Sequence, residues 1–265
     1  MDFSNLKNKI ESFFEEQSES IDLEEALQCI DETFSLLNQG RIRVAEKIDG
    51  EWIVNSWIKK AILLAFKLKK PKEQEFDSFD KLDLLKFDFE NPRYRKVPPA
   101  VIRNGVYIGT DAVIMPSYIN VGAYIGNKTM IDINAAVGSC AQIGKNCHIA
   151  ALSCIGGVLE PETASPTIIE DNCFIGAHSS ILEGVIVEEN SVIAAGVTIT
   201  GSTKIIDRYT KETLNGRVPS GSVVVQGSYP SNGLNISCGI IIKRIDTKTR
   251  SKLSINDILR ETPRF

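Results

Sequence analysis

The chain has little histidine and tryptophan: only His148 and His178, and two tryptophans, in 265 residues. A three-histidine metal site is disfavoured by that count, and the six cysteines form no C-x-x-C pair, so no metal and no disulfide framework is expected. There is no G-x-x-x-x-G-K-[ST] loop, no G-x-S-x-G elbow and no G-x-G-x-x-G turn. Nucleotide hydrolysis and serine hydrolysis therefore have no support. Long hydrophobic runs are missing as well. The longest near the start, Ala61 to Phe66, is far too short to span a bilayer, and the opening MDFSNLKNKI lacks a basic region followed by an apolar stretch. A cytoplasmic protein with reduced thiols is expected, with no membrane partner. The net charge of -4 argues against nucleic acid as a partner and leaves small molecules, small anions included, as ligands.

What is present divides into three regions, predicted as 1–96, 97–226 and 227–265. The first is helical with a β-hairpin. Leu6, Ile10, Phe13 and Phe14 recur at helical spacing, as do Leu23, Ala26, Leu27, Ile30, Phe34 and Leu37 behind a Ser20 suited to capping, with Gly40 as the stop. RIRVAEKIDGEWIV reads as a hairpin, because Asp49-Gly50 supplies the two positive-φ residues of a type I′ turn. A third helix is expected over Ser56 to Leu68, before Pro71, and residues 72 to 96 read as a connector.

The middle region is organised by sixes. An aliphatic residue recurs at Ile125, Ile131, Val137, Ile143, Ile149 and Ile155, and after an interruption at Ile169, Ile175, Ile181, Val187, Ile193, Ile199 and Ile205. Four positions after most of these stands a small residue, as at Thr129, Ala135, Cys147, Ser153, Cys173 and Ser179. Six-residue repeats build a prism with flat β faces, three repeats to a coil, in which the aliphatic residue fills the interior and the small one the corner. Cys147 and Cys173 are accordingly core filler. Gly126, Gly138, Gly144, Gly156 and Gly176 follow the aliphatic residue directly, where a corner would use their backbone freedom. Ile108 and Ile114 are six apart but out of phase with Ile119, so the start of the prism lies somewhere between Val97 and Tyr124. GGVLEPETASPT predicts an extruded loop over 157–167, and IDRYTKETLNGRVPSG an excursion before SVVVQG returns to strand. SCGIIIKRI reads as a further strand, and a closing helix from about Ser254 has a capping box completed by Asp257.

The hexad pattern resembles the left-handed β-helix family of hexapeptide acyltransferases; the handedness comes from that resemblance, since parallel crossovers are ordinarily right-handed. The fold class expected is mainly β, a left-handed parallel β-helix with an N-terminal α-helical domain and a small C-terminal β/α cap. A closer resemblance lies in RVAEKIDGEWIV, VPPAVIRNG, MPSYINVGAYIG, VGSCAQIGKN, IGGVLEP, PTIIEDNCFIGA, EGVIVEENSVI and GRVPSGSVVV. From residue 43 to about 225, in order, these are similar to tetrahydrodipicolinate N-succinyltransferases. A generic hexapeptide protein has no reason to share the hairpin or the loop.

That resemblance implies an N-acyltransferase of the succinylase branch of diaminopimelate and lysine synthesis. It implies a homotrimer with no tightly bound cofactor, succinyl-CoA as co-substrate, backbone groups of the coils and of the 157–167 loop on CoA, and direct transfer to the nitrogen of a cyclic imine dicarboxylate. Arg95 in NPRYRKVPPA matches the substrate-binding arginine, whose guanidinium fork suits a carboxylate. Asp132 in TMIDINAAVG matches the substrate-binding and catalytic aspartate, able to hold the acceptor's ammonium and accept its proton. The bland alternatives are a solvated surface charge for Arg95 and a turn-stabilising aspartate for Asp132.

Three departures from the family pattern bear on the acceptor pocket. CFIGAHSSILEG stands where CFIGARSEVVEG is usual, so Ser180 occupies the place of a second acid and His178 that of an arginine; Asn134 replaces a tryptophan. His178, Ser180 and Glu183 are therefore the candidates for an altered acceptor pocket, with His178 either a base or simply solvated. A different amino-dicarboxylate acceptor, or acetyl-CoA as donor, stays open. An assembly or ice-binding β-helix does not fit, because the outward positions Lys128, Gln142, Lys145, Asn146, Glu170, Asp171, Glu188 and Asn190 are mixed and charged rather than rows of threonine.

Overall fold

A computed structural model describes residues 3–16, 20–74 and 78–244. The chain opens with helix α1 (Ser4–Glu15), α2 (Leu23–Asn38), a hairpin of β1 (Ala45–Ile48) and β2 (Glu51–Val54), and α3 (Ser56–Leu68). The α3 bounds and the hairpin follow the sequence pattern, and Asp49 and Gly50 take φ of 50° and 88° at the turn. The cap of α2 does not. Asp22, not Ser20, accepts the N–H groups of Glu24 and Glu25, because it stands directly before the first helical residue while Ser20 lies two positions too early. Ile10, Ile30, Phe34, Ile58 and Ile62 form a core with Val121 and Cys140, so the helices pack onto a corner of the prism. Burial pushes the Cys140 thiol up to about 12, which makes it a packing group.

The prism has three parallel faces. The first carries six strands from Val101–Ile102 to Thr198–Ile199, the second six from Tyr107–Ile108 to Arg217–Val218, and the third six from Arg95–Lys96 to Val192–Ile193, extended by four C-terminal strands that include antiparallel pairs. Ile or Val from each coil stacks on its counterpart above, as Ile114, Ile131, Ile149, Ile175 and Ile193 do on the third face, giving one continuous buried column. At neighbouring-strand spacing of about 4.8 Å that column excludes water along its whole length. Thr129, Ala135, Ala141, Cys147, Ser153, Cys173 and Ser179 are buried at the corners.

The ambiguity between Val97 and Tyr124 resolves into one short corner. Ile114 to Ile119 is a five-residue step through Met115, Pro116 and Ser117, after which the six-residue step resumes. Paired strands begin at Arg95, whose strand lies against Val113–Ile114, just ahead of that stretch; its basic side chains hide it from an aliphatic count. Part of the connector is itself structured, with Lys72–Gln74 antiparallel to Ser78–Asp80.

The glycines after the aliphatic positions are there for a different reason from the one their place suggests. None of the five has positive φ. An added Cβ at Gly138 would lie 2.1 Å from the Gly157 nitrogen, at Gly126 2.4 Å from the Gly144 carbonyl carbon, and at Gly176 2.4 Å from the Ala195 nitrogen. Close approach of successive coils selects them. The left-handed conformation falls two residues later, at Lys128, Asn134, Cys140, Asn146, Leu152, Asn172, His178 and Asn190.

The 157–167 loop leaves between Cys154–Ile155 and Ile168–Ile169 and is held by α3: the fully buried Lys59 ammonium donates to the Ala164 carbonyl at 2.7 Å and to that of Pro161 at 3.5 Å. Desolvation lowers the Lys59 pKa, with Cys140 and Glu162 acting in the opposite direction. At the far end, Lys204–Asp207 and Thr213–Asn215 make the excursion as a small antiparallel pair, and Ser222–Ser231 pairs with Leu234–Arg244 in a long hairpin. The closing helix expected from Ser254 lies outside the described residues.

Two of the residues read as outward positions, Gln142 and Glu170, are in fact covered by the N-terminal hairpin. Gln142 accepts from Arg43 Nε at 3.1 Å, and the Arg43 guanidinium sits 3.6 Å over the Tyr124 ring. Glu170 Oε1 accepts from Lys47 Nζ at 2.7 Å and Trp52 Nε1 at 2.8 Å, and its Oε2 from the Glu189 N–H at 3.1 Å. Burial acts to raise the Glu170 pKa, but these donors outweigh it and hold it below its ordinary value. A carboxyl depressed in the fold contributes stability above its unfolded pKa, about 4.3 for glutamate, and that stability is lost as the pH falls through the folded value. Glu170→Gln is therefore expected to cost about 1–3 kcal/mol at neutral pH and to flatten the acid-side loss of stability. Urea melts of both proteins from neutral to acid pH check this; identical melts at neutral pH, or the same acid limb in both, contradict it.

Candidate active site

Each coil turns from the third face to the first through a tight corner. In the coil that carries Asp132, the Ala135 N–H donates to the Asp132 carbonyl at 3.1 Å and Asn134, the third residue of the turn, has φ of 57°. That is the geometry of a turn whose third residue must tolerate positive φ, which asparagine does better than most residues. The tryptophan-to-asparagine difference thus fits the backbone.

Asp132 follows directly on the strand Met130–Ile131 and keeps its side chain partly exposed, at 22%. Both carboxylate oxygens are held: Oδ1 accepts the Ile133 N–H at 2.7 Å and Oδ2 lies 3.4 Å from His148 Nε2. Some of the turn-stabilising role is therefore real, yet the carboxylate also faces outward. Of the five glycines at the equivalent step, only Gly176 shares this corner; the others turn different corners of the prism.

Arg95 lies on the same face. Its strand pairs with Val113–Ile114, which pairs with Met130–Ile131, so Arg95 stands two strands below the strand that leads into Asp132. The intervening coil presents Met115, whose Sδ is 3.8 Å from Arg95 Nη2. Two strand spacings are about 10 Å, a gap that the long arginine side chain shortens. An exposed guanidinium and an outward carboxylate on one wall can take the two ends of an amino-dicarboxylate.

The other altered positions, His178 and Ser180, and the retained Glu183 lie farther along the prism. His178 is exposed, with φ of 60°, at the same corner as Asn134 but two coils higher: its N–H donates to Ala151, as that of Leu152 donates to Ile133. Ser180 has turned onto the first face, between Cys154 and Thr198. Glu183 is at the next corner, between the first and second faces, where its Oε2 accepts the Gly201 N–H at 3.1 Å. Within one chain Glu183 is not brought to Asp132.

His148 is the residue that the sequence reading leaves out of this site. Its side chain is 13% exposed and its ring meets Phe174 edge to face at 5.3 Å. The signal was available: with three hexads to a coil, Ile149 stacks on Ile131, which sets His148 over Met130 and beside Asp132. Among the described residues, no group of three or more His, Cys, Asp or Glu is placed to hold a metal ion, and no helix is long and apolar enough to cross a membrane.

Comparisons with known proteins bear on the same chain. Residues 5–68 match the family model described as the N-terminal region of tetrahydrodipicolinate N-succinyltransferase, and 166–201 and 122–157 match hexapeptide-repeat models of succinyl-transferases and bacterial transferases. Those repeat matches are consistent with the left-handed β-helix expected from the sequence. A solved Campylobacter jejuni structure described as a 2,3,4,5-tetrahydropyridine-2-carboxylate N-succinyltransferase shares the fold, with a TM-score of 0.53 at 17% identity over 80% of this chain and 62% of that one. Proteins named 2,3,4,5-tetrahydropyridine-2,6-dicarboxylate N-succinyltransferase from Idiomarina loihiensis and Acinetobacter baylyi are 50% and 55% identical. The first comparison covers 97% of this chain and 98% of the relative, the second 88% and 89%. With helices, repeats, hairpin and loop all matched at such identity over nearly full length, the chain belongs to the 2,3,4,5-tetrahydropyridine-2,6-dicarboxylate N-succinyltransferase family.

Proposed function

We propose that this chain transfers the succinyl group of succinyl-CoA to the nitrogen of tetrahydrodipicolinate, with ring opening, in the succinylase branch of diaminopimelate and lysine synthesis, and that Arg95 and Asp132 hold the acceptor. The observation that carries the residue assignment is their placement on one wall of the prism, two strands apart. Hydration opens the cyclic imine to an amino-dicarboxylate. Arg95 offers paired N–H donors to one carboxylate, and Asp132 takes the ammonium.

The chemistry asks little of the protein beyond position and a base. Asp132 accepts a proton from the ammonium, the freed nitrogen pair forms the C–N bond at the thioester carbonyl, and the C–S bond then breaks. The departing thiolate takes up one proton, and the second proton lost from nitrogen passes to solvent. No covalent enzyme intermediate is required, in keeping with Cys147 and Cys173 lying fully buried in the column. CoA is a co-substrate here and not a resident group; backbone groups of the coils and of the 157–167 loop are its proposed contacts.

Ser180 is the reason to test the acceptor. It removes a negative charge from a position where the family usually has one, and within one chain neither His178 nor Glu183 is brought beside Asp132. Purified protein is to be assayed with tetrahydrodipicolinate and a panel of amino-dicarboxylates, each with succinyl-CoA and acetyl-CoA. Tetrahydrodipicolinate with succinyl-CoA is expected to give the highest kcat/KM, and Asp132→Asn to abolish turnover without lowering the melting temperature. Preference for another pair by tenfold, about 1.4 kcal/mol of transition-state binding, replaces the substrate assignment. Near-normal turnover in Asp132→Asn returns Asp132 to a turn role.

A homotrimer is the proposed assembly, because one prism offers a wall for the acceptor but no enclosure for an acyl donor. Sedimentation is expected to give three times the chain mass. A stable, fully active monomer would sink this assignment.

A further inference from the structure

Along the outward stripe of the third face, successive coils present Val113, Met130, His148, Phe174 and Val192. Val113, Met130 and Val192 are buried and His148 nearly so. One polar ring in an apolar stripe needs a hydrogen-bonding partner to offset its desolvation. Asp132 Oδ2 is at 3.4 Å from Nε2, long for a formed bond but within the looseness that active-site contacts show before substrate arrives. Phe174 closes on the imidazole edge to face and limits its rotation.

We infer that His148 is a positioning residue for the acyl transfer, holding the Asp132 carboxylate through Nε2–H so that its remaining lone pairs face the acceptor nitrogen. This rests on the reading of Asp132 given above. An ionised carboxylate only accepts, so the contact is attractive when Nε2 carries the hydrogen. Oδ1 is already fixed by the Ile133 N–H. With His148 on Oδ2, the carboxylate is gripped at both oxygens, from its own turn and from the coil above. Without His148, only the turn contact remains and the group can swing about its Cα–Cβ bond. Such misplacement by about 1 Å costs on the order of a hundredfold in rate.

Two substitutions separate positioning from packing. His148→Leu keeps bulk and removes the donor; His148→Gln sets an amide N–H close to where Nε2 stands. In His148→Leu, kcat is expected to fall by about a hundredfold, with the acceptor KM changed less than about threefold and the melting temperature unchanged. In His148→Gln, at least about tenfold of that loss is expected to return. His148→Leu within threefold of the parent kcat overturns the inference, as does a loss confined to KM, a loss that tracks a lowered melting temperature, or one that His148→Gln does not recover. The parent protein and Asp132→Asn are assayed alongside. An inactive parent, or an active Asp132→Asn, fails the underlying reading of the site, whereas an active parent with an inactive Asp132→Asn and a fully active His148→Leu fails only this inference.

Discussion

Every strand of the prism proper is two residues long and draws its hydrogen bonds from the coils above and below, so the register of coil on coil is the constraint on which everything else rests. No strand of that length is stable alone. Stacking Ile on Ile through the column is what fixes the register, since a shift of one residue would turn the aliphatic set outward and the charged set inward. The same register decides which outward residues become neighbours. Met115 and Asp132 share a wall because Ile114 and Ile131 share a column, Arg95 joins it because its strand pairs with Val113–Ile114, and His148 meets Asp132 because Ile149 sits over Ile131.

The N-terminal helices are tied to this frame by few but costly groups. Lys59 has its ammonium buried with loop carbonyls as partners, and Glu170 has its carboxylate covered by the hairpin with Lys47 and Trp52 as donors. Burying a charge is unfavourable unless it is well bonded, so these contacts specify one way of seating the helices and one path for the 157–167 loop more than they add stability. The loop that departs from the hexad rhythm is therefore anchored by a part of the chain that has no hexads at all.

Much of this was legible in the sequence, and the parts that were not have physical reasons. The column from Ile125 onward, the bounds of α3 and the Asp49-Gly50 turn follow from periodicity and turn chemistry, which are local. The start of the prism was hidden by a corner one residue short between Ile114 and Ile119. The strand at Arg95 carries charge where others carry aliphatic residues. The cap at Asp22 shows that a cap must adjoin the first turn. The glycines show a limit of another kind: their place in the repeat was visible, but the approach of the next coil's backbone that requires them was not. In the site, Arg95 and Asp132 came from resemblance, while the His148 contact needed the repeat to be stacked coil on coil.

In the proposed reaction Arg95 and Asp132, brought to one wall by stacking, are the acceptor's two anchors. A crystal structure of the protein with CoA and a non-reacting amino-dicarboxylate tests it most directly. One acceptor carboxylate is expected within hydrogen-bond distance of the Arg95 guanidinium, and the acceptor nitrogen beside the Asp132 carboxylate, on the third face. An acceptor bound away from both residues, for instance in the groove between Asp80, Arg103 and Tyr118 at the foot of the first face, would contradict it.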